Sequence, residues 1–332
     1  MPLTNAYGDI DGTIAAKLEK NALAHVKPFR VLELGAKKFT QPKNATQTVR
    51  MRRAIPYAAA TTPLSEGVPP TATQIRYDEL DITMAQYGGY TPVTDIMVDF
   101  HTTPILKDIN ELNAEQCQAT REALLWGILK AATNVQYAGG VASLGTTVAL
   151  LDKDEQDLAT RTLRRNKAKK FTKIVTGGVK INTTPIEAAY VCFIHSDAEK
   201  AVRNMAGFTP CAQYGSMSPI SENELGAVDD VRYISSPDLD PQIDSGAAHG
   251  GVNISTSGTL SDVYTALYSG MDAYGCVNMA GQGSFTPVVR NIGKPTDTDP
   301  LGQLGHVGWK MYTANSMLNQ DWVVAVKHCV AE

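Results

Sequence analysis

The chain has 332 residues, of which 43% are hydrophobic and 19% are charged, and its formal net charge is −4. This composition can bury a sizeable core and argues against intrinsic disorder. The acidic balance argues against a protein that wraps nucleic acid, because such binding depends on neutralising phosphates with basic side chains. A protein that encloses nucleic acid without gripping it is compatible with this charge.

The sequence carries no signal for export or for membrane insertion. Residues 1–10 lack the basic and apolar segments of a signal peptide, and no stretch approaches the roughly 20 apolar residues of a membrane helix. We therefore expect a soluble protein made in a cytoplasm. The five cysteines are widely spaced without a Cys-x-x-Cys pair, which predicts reduced thiols and neither disulfides nor a zinc site.

The first part of the chain predicts an arm followed by a projecting hairpin. Residues 12–34 have a weakly helical apolar spacing, typical of an N-terminal arm. Residues 46–53 and 74–84 predict strands, and the segment between them contains Gly67 and several prolines, which indicates an irregular tip. The apolar content of this hairpin is too low to bury both faces, so a neighbouring molecule would have to cover it.

Two longer helices follow in the predicted order. Residues 105–132 carry apolar residues at helical spacing, with charged residues such as Glu122 predicted on the opposite face. Residues 154–169 predict a second helix that leads into the basic run 164–173. We interpret that run as a solvated helix end or an intersubunit salt-bridge strip, with contact to DNA as the alternative.

The second half of the chain predicts short strands with few helices. Residues 189–194 have a buried-strand pattern, and Ser196 is a suitable N-cap for a helix that reaches Met205. Further strands are predicted at residues 231–234, 263–277, 308–314 and 322–328. Strands mixed with a few helices, without regular alternation, predict the α+β class.

Motifs for catalysis or cofactor binding are weak throughout the sequence. Gly281-Gln282-Gly283 lacks the third glycine of a dinucleotide-binding loop, and no Walker A sequence is present. His195 lies close to Asp197, which predicts local hydrogen bonding at a helix start. A Cys192–His195 pair would support a hydrolase only if the fold brought the two side chains together. The residues therefore predict no catalytic site, no cofactor and no metal.

Four segments match consecutive motifs of one protein family. They are residues 63–69 (T-x-L-x-E-G-x-x-P), 86–90 (Q-Y-G), 224–233 (E-x-G-x-x-x-x-V-R-[FY]) and 299–310 (D-P-L-G-Q-x-G-x-V-G-W-K). On these motifs the chain resembles the coliphage N4-type major capsid proteins, which have the HK97 fold. The resemblance spans roughly residues 20 to 328 and departs at Leu304, where many members carry a basic residue.

The resemblance implies an architecture as well as a fold. The implied parts are an N-terminal arm (1–39), an extended E-loop hairpin lying over a neighbouring subunit (40–90), a peripheral domain (91–185) with a spine helix (105–132), an axial domain (186–298) and C-terminal return strands of the peripheral domain (299–332). The axial domain would meet its copies around five-fold and six-fold axes.

The implied function is structural. The chain would form the pentamers and hexamers of an icosahedral phage head that encloses double-stranded DNA without sequence-specific binding. Copies of itself would be the main partners, with portal, scaffold and decoration proteins as further candidates and no membrane. We expect it in the virion after assembly in the host bacterial cytoplasm. The alternatives are an encapsulin-like nanocompartment shell, which shares the fold, and a soluble cysteine hydrolase.

The resemblance also identifies candidate residues for intersubunit contact and for structural roles. The candidate intersubunit contacts at the hairpin and its tip are Arg50, Arg52, Leu64, Glu66, Gly67, Tyr87 and Gly88. The candidate structural residues of the two later motifs are Glu224, Gly226, Arg232, Asp299, Gly302, Gln303, Trp309 and Lys310.

Overall fold

The computed structural model describes residues 30–64, 66–67, 69–100, 105–171, 188–214, 219–250, 252–256, 258–281, 286–293, 295 and 299–331. Most of the predicted N-terminal arm and the end of the basic run therefore lie outside the described residues. Among the described helices, none is both long enough and apolar enough to cross a membrane.

The described residues form four α-helices: α1 (Asp95–Phe100), α2 (Ile105–Leu129), α3 (Lys153–Arg165) and α4 (Glu199–Arg203). Helix α2 is the predicted long helix, but it ends at Leu129 and not at residue 132. The N–H groups of Ala131 and Ala132 bond to carbonyls only three residues back, which tightens and closes the last turn. Helix α3 ends before Lys167, whose positive φ of 54° cannot continue a helix.

The described strands are β1 (Lys37–Gln41), β2 (Thr48–Ala54), β3 (Tyr77–Thr83), β4 (Ala85–Thr94), β5 (Val135–Tyr137), β6 (Tyr190–His195), β7 (Phe208–Pro210), β8 (Glu224–Val228), β9 (Val231–Ser236), β10 (Tyr264–Ser269), β11 (Tyr274–Met279), β12 (Thr286–Arg290), β13 (Leu304–Met317) and β14 (Val323–His328). The predicted hairpin strands correspond to β2 and β3. The predicted strand at 263–277 is two strands, because Gly270 and the left-handed Asp272 turn the chain between them.

The strands form three sheets. A five-stranded sheet has the order β1-β11-β13-β12, with β4 paired to the long strand β13. A seven-stranded sheet has the order β5-β14-β10-β6-β9-β8-β7, and β2 pairs with β3 alone. Three pairings, β1–β11, β5–β14 and β6–β9, are parallel and the rest are antiparallel. The predicted α+β class is confirmed.

Two predicted boundaries do not follow the sheets. Strands β11 and β12 precede residue 298 but lie in the five-stranded sheet, whereas β14 follows it and lies in the seven-stranded sheet. The division at residue 298 is therefore not a division between sheets. The pairing of β2 with β3 ends at Thr83, and the residues that follow form β4 along β13.

The C-terminal half of α2 packs into a core that joins the two large sheets. Leu125, Trp126 and Leu129 are buried there. The same cluster contains Phe193 of β6 and Tyr274 of β11. Because those strands belong to different sheets, this end of the helix holds the sheets against each other.

Candidate assembly surfaces

The strands β2 and β3 form a hairpin whose charges are paired within the chain. Arg50 bonds to Asp81 through Nε and Oδ1 at 2.7 Å, and Arg53 Nη2 lies 3.0 Å from Asp78 Oδ2. The guanidinium of Arg52 lies 5.1 Å from the ring centroid of Tyr77. These side chains are largely exposed, so each pair adds little to stability. They leave the strands without a strong net charge toward a neighbour.

The hairpin tip exposes large apolar side chains. Leu64 is 74% exposed, and Ile55, Tyr57 and Ile75 are also exposed. The backbone bond from Ile55 N to Arg76 O closes the ladder at 2.9 Å, and the described tip residues beyond it have no regular structure. Several large exposed apolar side chains in one segment make this tip a candidate interaction surface.

Gly67 lies at this tip next to the exposed Glu66. Its φ is +74°, and no atom lies within 4 Å of the position that a Cβ would take. The residue is therefore required for its left-handed backbone conformation and not for close packing.

Tyr87 and Gly88 lie outside the β2–β3 hairpin, and their role as intersubunit contacts stays a prediction. Both lie in β4, where Gly88 is opposite Lys310 and the next residue, Gly89, is opposite Trp309. A Cβ on Gly88 would lie 2.6 Å from the carbonyl oxygen of Trp309. The Q-Y-G segment therefore serves first as the partner of the family's W-K segment within one chain.

Trp309 is fixed by this pairing. Its Nε1 donates to Oε1 of Gln116 on α2 at 2.9 Å, and its side chain packs with Cys117, Met311 and Tyr87. The indole thus attaches the five-stranded sheet to the long helix.

An open groove of about 420 Å³ lies over the same strands. Tyr90, Val288, His306 and Lys310 line it, and Tyr90 is 66% exposed. The ring of Tyr90 meets His306 edge-on, with 6.3 Å between centroids. This mostly apolar surface is a second candidate for contact with another copy.

The segment from Asp299 to Gln303 is a turn that positions β13. The Asp299 carboxylate accepts the N–H of Gln303 at 3.1 Å and of Leu304 at 2.9 Å, and Gly302 has a φ of +67°. The bond from Leu304 is the main reason that the pKa of Asp299 lies below its usual value. The Gln303 carbonyl accepts the N–H of Asp95, so the turn also fixes the start of α1.

Glu224 and Arg232 form a buried ion pair between β8 and β9. Arg232 Nη1 lies 3.1 Å from Glu224 Oε1, and the two side chains are 4% and 0% exposed. The Tyr214 hydroxyl donates to the same Oε1 at 2.8 Å, and its ring lies 4.8 Å from the guanidinium. Because the pair is shielded from solvent, its role is to hold the edge of the seven-stranded sheet together.

Gly226 allows the closest strand approach in this motif. A Cβ there would lie 2.4 Å from the carbonyl oxygen of Thr209 and 2.8 Å from the ring of Phe208. We expect Gly226→Ala to lower the free energy of unfolding by about 1–3 kcal/mol, because β7 must move away. Gly127→Ala is the matched control: no atom lies within 4 Å there, and alanine in a helix should stabilise by about 1 kcal/mol. Urea unfolding of both variants tests whether Gly226→Ala lowers and Gly127→Ala raises the free energy of unfolding.

The residues of the enzymatic alternative do not form a reactive pair. Cys192 is fully buried, and burial raises the pKa of its thiol well above the usual value, whereas a nucleophile needs the thiolate. His195 Nδ1 accepts the N–H of Asp197 at 3.1 Å, which is the predicted local bond.

Two cations of the described part of the basic run, Arg164 and Lys170, are paired within the chain. Arg164 pairs with Asp230, and Lys170 Nζ lies 2.7 Å from the same carboxylate. Lys153 Nζ contacts the neighbouring Asp229 at 2.6 Å. These cations are therefore partly neutralised before any contact with DNA or a neighbour.

Comparison with known proteins agrees with this geometry. A family model described as phage capsid protein matches residues 77–305, more than half of the chain. The chain belongs to the phage capsid protein family. It is a structural protein of the phage capsid. No curated protein matches the sequence.

Solved phage capsids share the fold over nearly the whole chain. The capsid of Ralstonia phage GP4 is 13% identical with a TM-score of 0.70, covering 100% of this chain and 99% of that one. The capsid of cyanophage P-SCSP1u is 13% identical with a TM-score of 0.60, covering 95% and 93%. The head protein of Helicobacter pylori bacteriophage KHP40 is 11% identical with a TM-score of 0.61, covering 99% and 98%. The HK97-like fold is therefore confirmed.

Proposed function

We propose that copies of this capsid protein associate head-to-tail in rings of five and six, with the hairpin of each copy lying on its neighbour. The observation that carries this proposal is the exposed apolar tip around Leu64, whose side chain is 74% exposed. Head-to-tail contacts close into rings when the rotation between copies permits. An extended hairpin adds contact area beyond the ~1,600 Å² of a standard interface.

The distribution of charge supports a contact based on apolar surface. Arg50 and Arg53 are already paired with carboxylates of β3, so the strands bring little unpaired charge to a neighbour. The groove beside Tyr90 and Val288 has a matching apolar character. Many such contacts on each subunit give multivalent and persistent association.

We also propose that the shell encloses double-stranded DNA without sequence-specific binding. The net charge of −4 and the pairing of Arg164 and Lys170 with Asp230 support enclosure without tight binding. Membership of the N4-type branch is supported by the four sequence motifs. Portal, scaffold and decoration proteins are proposed as further partners, with assembly in the host bacterial cytoplasm.

The test is assembly of the purified chain, followed by sedimentation velocity and negative-stain electron microscopy. The chain is expressed alone and together with the scaffold and portal proteins of its phage. We expect closed shells, or rings of five and six subunits, in at least the second case. A species that remains a monomer or dimer with both proteins present would contradict the proposal.

Gly67→Val should hinder assembly while the subunit stays folded. A β-branched residue is strained at a φ of +74°, so the tip must change conformation, yet nothing nearby is displaced. Gly67→Asn is the control, because asparagine tolerates the left-handed region. Both variants should match the parent in thermal unfolding, and only Val should reduce the yield of shells. Normal shells from Gly67→Val would remove the tip conformation from the determinants of assembly.

A further inference from the structure

A short segment at the start of the described residues, Val31–Leu34, packs on α2. Oε1 of Glu122 accepts the N–H of Val31 at 3.1 Å and of Leu32 at 2.9 Å. The Tyr274 hydroxyl donates to the carbonyl oxygen of Leu32 at 2.6 Å. Val31 and Leu32 are fully buried, so Glu122 on α2 and Tyr274 on β11 hold this segment in place.

The second carboxyl oxygen of Glu122, Oε2, has no described partner that would stabilise a negative charge. The side chain is 2% exposed, and Oε2 has no hydrogen-bond partner among the described residues. The two nearby cations are committed elsewhere: Arg121 Nη2 lies 2.8 Å from Glu33 Oε1, and Arg30 pairs with the other oxygen of Glu33. A negative charge on Glu122 would therefore be buried beside a second carboxylate, with both arginines bound to that neighbour.

The pKa of Glu122 is shifted toward neutral pH, unlike the pKa values of the other ionisable groups around Val31 and Leu32. Burial, with a smaller contribution from the nearby Glu33, raises the pKa of Glu122 to about 7, despite the bonds from Leu32 and Val31. Burial also raises the pKa of the Tyr274 hydroxyl, and that of the Cys276 thiol to about 12, so both stay neutral. Glu122 is thus the group here that changes charge near neutral pH.

We propose that Glu122 is a proton-controlled latch: its neutral carboxyl holds the segment Val31–Leu34 on α2, and its ionisation loosens that seat. When the segment lifts, water reaches the carboxylate and its pKa returns toward the ~4.3 of an exposed glutamate. Opening is therefore coupled to proton release. The contribution of Glu122 to closure is complete below that value and is lost as the pH rises toward 7.

Hydrogen exchange of the purified full-length subunit tests the latch. The readout is the protection factor of the peptide spanning residues 31–36, corrected for the intrinsic exchange rate, between pH 6 and pH 8. In the parent protein we expect the protection factor to fall by about tenfold from pH 6 to pH 8. Over this range the closed form of Glu122 loses its proton, whereas the open form is already ionised, so the advantage of the closed form falls.

The variant Glu122→Gln keeps an oxygen that can accept both N–H groups but cannot ionise. We expect its protection to be independent of pH. Glu33→Gln removes the neighbouring carboxylate and makes Arg30 and Arg121 more available to Glu122, so the fall should move to lower pH. A flat profile in the parent protein, or an unchanged fall in Glu122→Gln, would overturn the proposal.

Discussion

Arg232→Met is expected to lower the free energy of unfolding by about 3–5 kcal/mol, because it leaves the buried Glu224 carboxylate without its cation. Both side chains are almost completely shielded from solvent. The Tyr214 hydroxyl and the backbone N–H of Ile220 still donate to Glu224, but neutral donors do not replace a guanidinium. The variant also loses the contact between the guanidinium and the Tyr214 ring.

The measurement is urea unfolding of unassembled subunits. Arg203→Met is the matched control, because Arg203 and Glu199 form an exposed pair at 3.5 Å on α4, and its loss should cost about 0.5 kcal/mol or less. Replacing Glu224 and Arg232 together by apolar residues should recover much of the loss, since no uncompensated charge remains. Equal effects of Arg232→Met and the control would contradict the structural role of the pair.

The elements that sequence patterns predicted are those whose signal is local. The hairpin strands β2 and β3, helix α2 and strand β9 each have a periodic or β-branched pattern in a single stretch. Such a pattern reports which face of an element is buried and says nothing about its partner. The pairing of Gly88 with Lys310 joins residues more than 200 positions apart, so no local signal could place the Q-Y-G segment in the sheet.

Glu122 shows the same limit for a single side chain. A glutamate among charged neighbours on α2 is predicted to face solvent, yet it is buried because its partners are backbone N–H groups about 90 residues earlier in the chain. One signal was present: Leu125 and Leu129 follow at helical spacing, so Glu122 lies on their face. Glu224 and Arg232 could be selected from the sequence because both belong to one family motif. Their contact with Tyr214, which lies outside that motif, could not be predicted.

Leu129→Ala should cost about 2–5 kcal/mol, because a fully buried side chain is removed from a densely packed cluster. That cluster combines Phe193 of the seven-stranded sheet with Tyr274 of the five-stranded sheet, so the cavity would lie where the sheets meet. Leu112→Ala is the control on the same helix, because Leu112 is 56% exposed and its loss should change stability by less than about 0.5 kcal/mol.

Urea unfolding of both variants compares the two ends of α2 directly. A loss for Leu129→Ala as small as that for Leu112→Ala would mean that the helix end does not hold the sheets together. The expected difference has a consequence for assembly: Leu129 is committed to the core, whereas Leu106 and Leu112 are exposed on the N-terminal half of α2, where Ile105 and Ile109 are buried. We therefore expect substitutions of Leu106 and Leu112 to affect shells before they affect the fold.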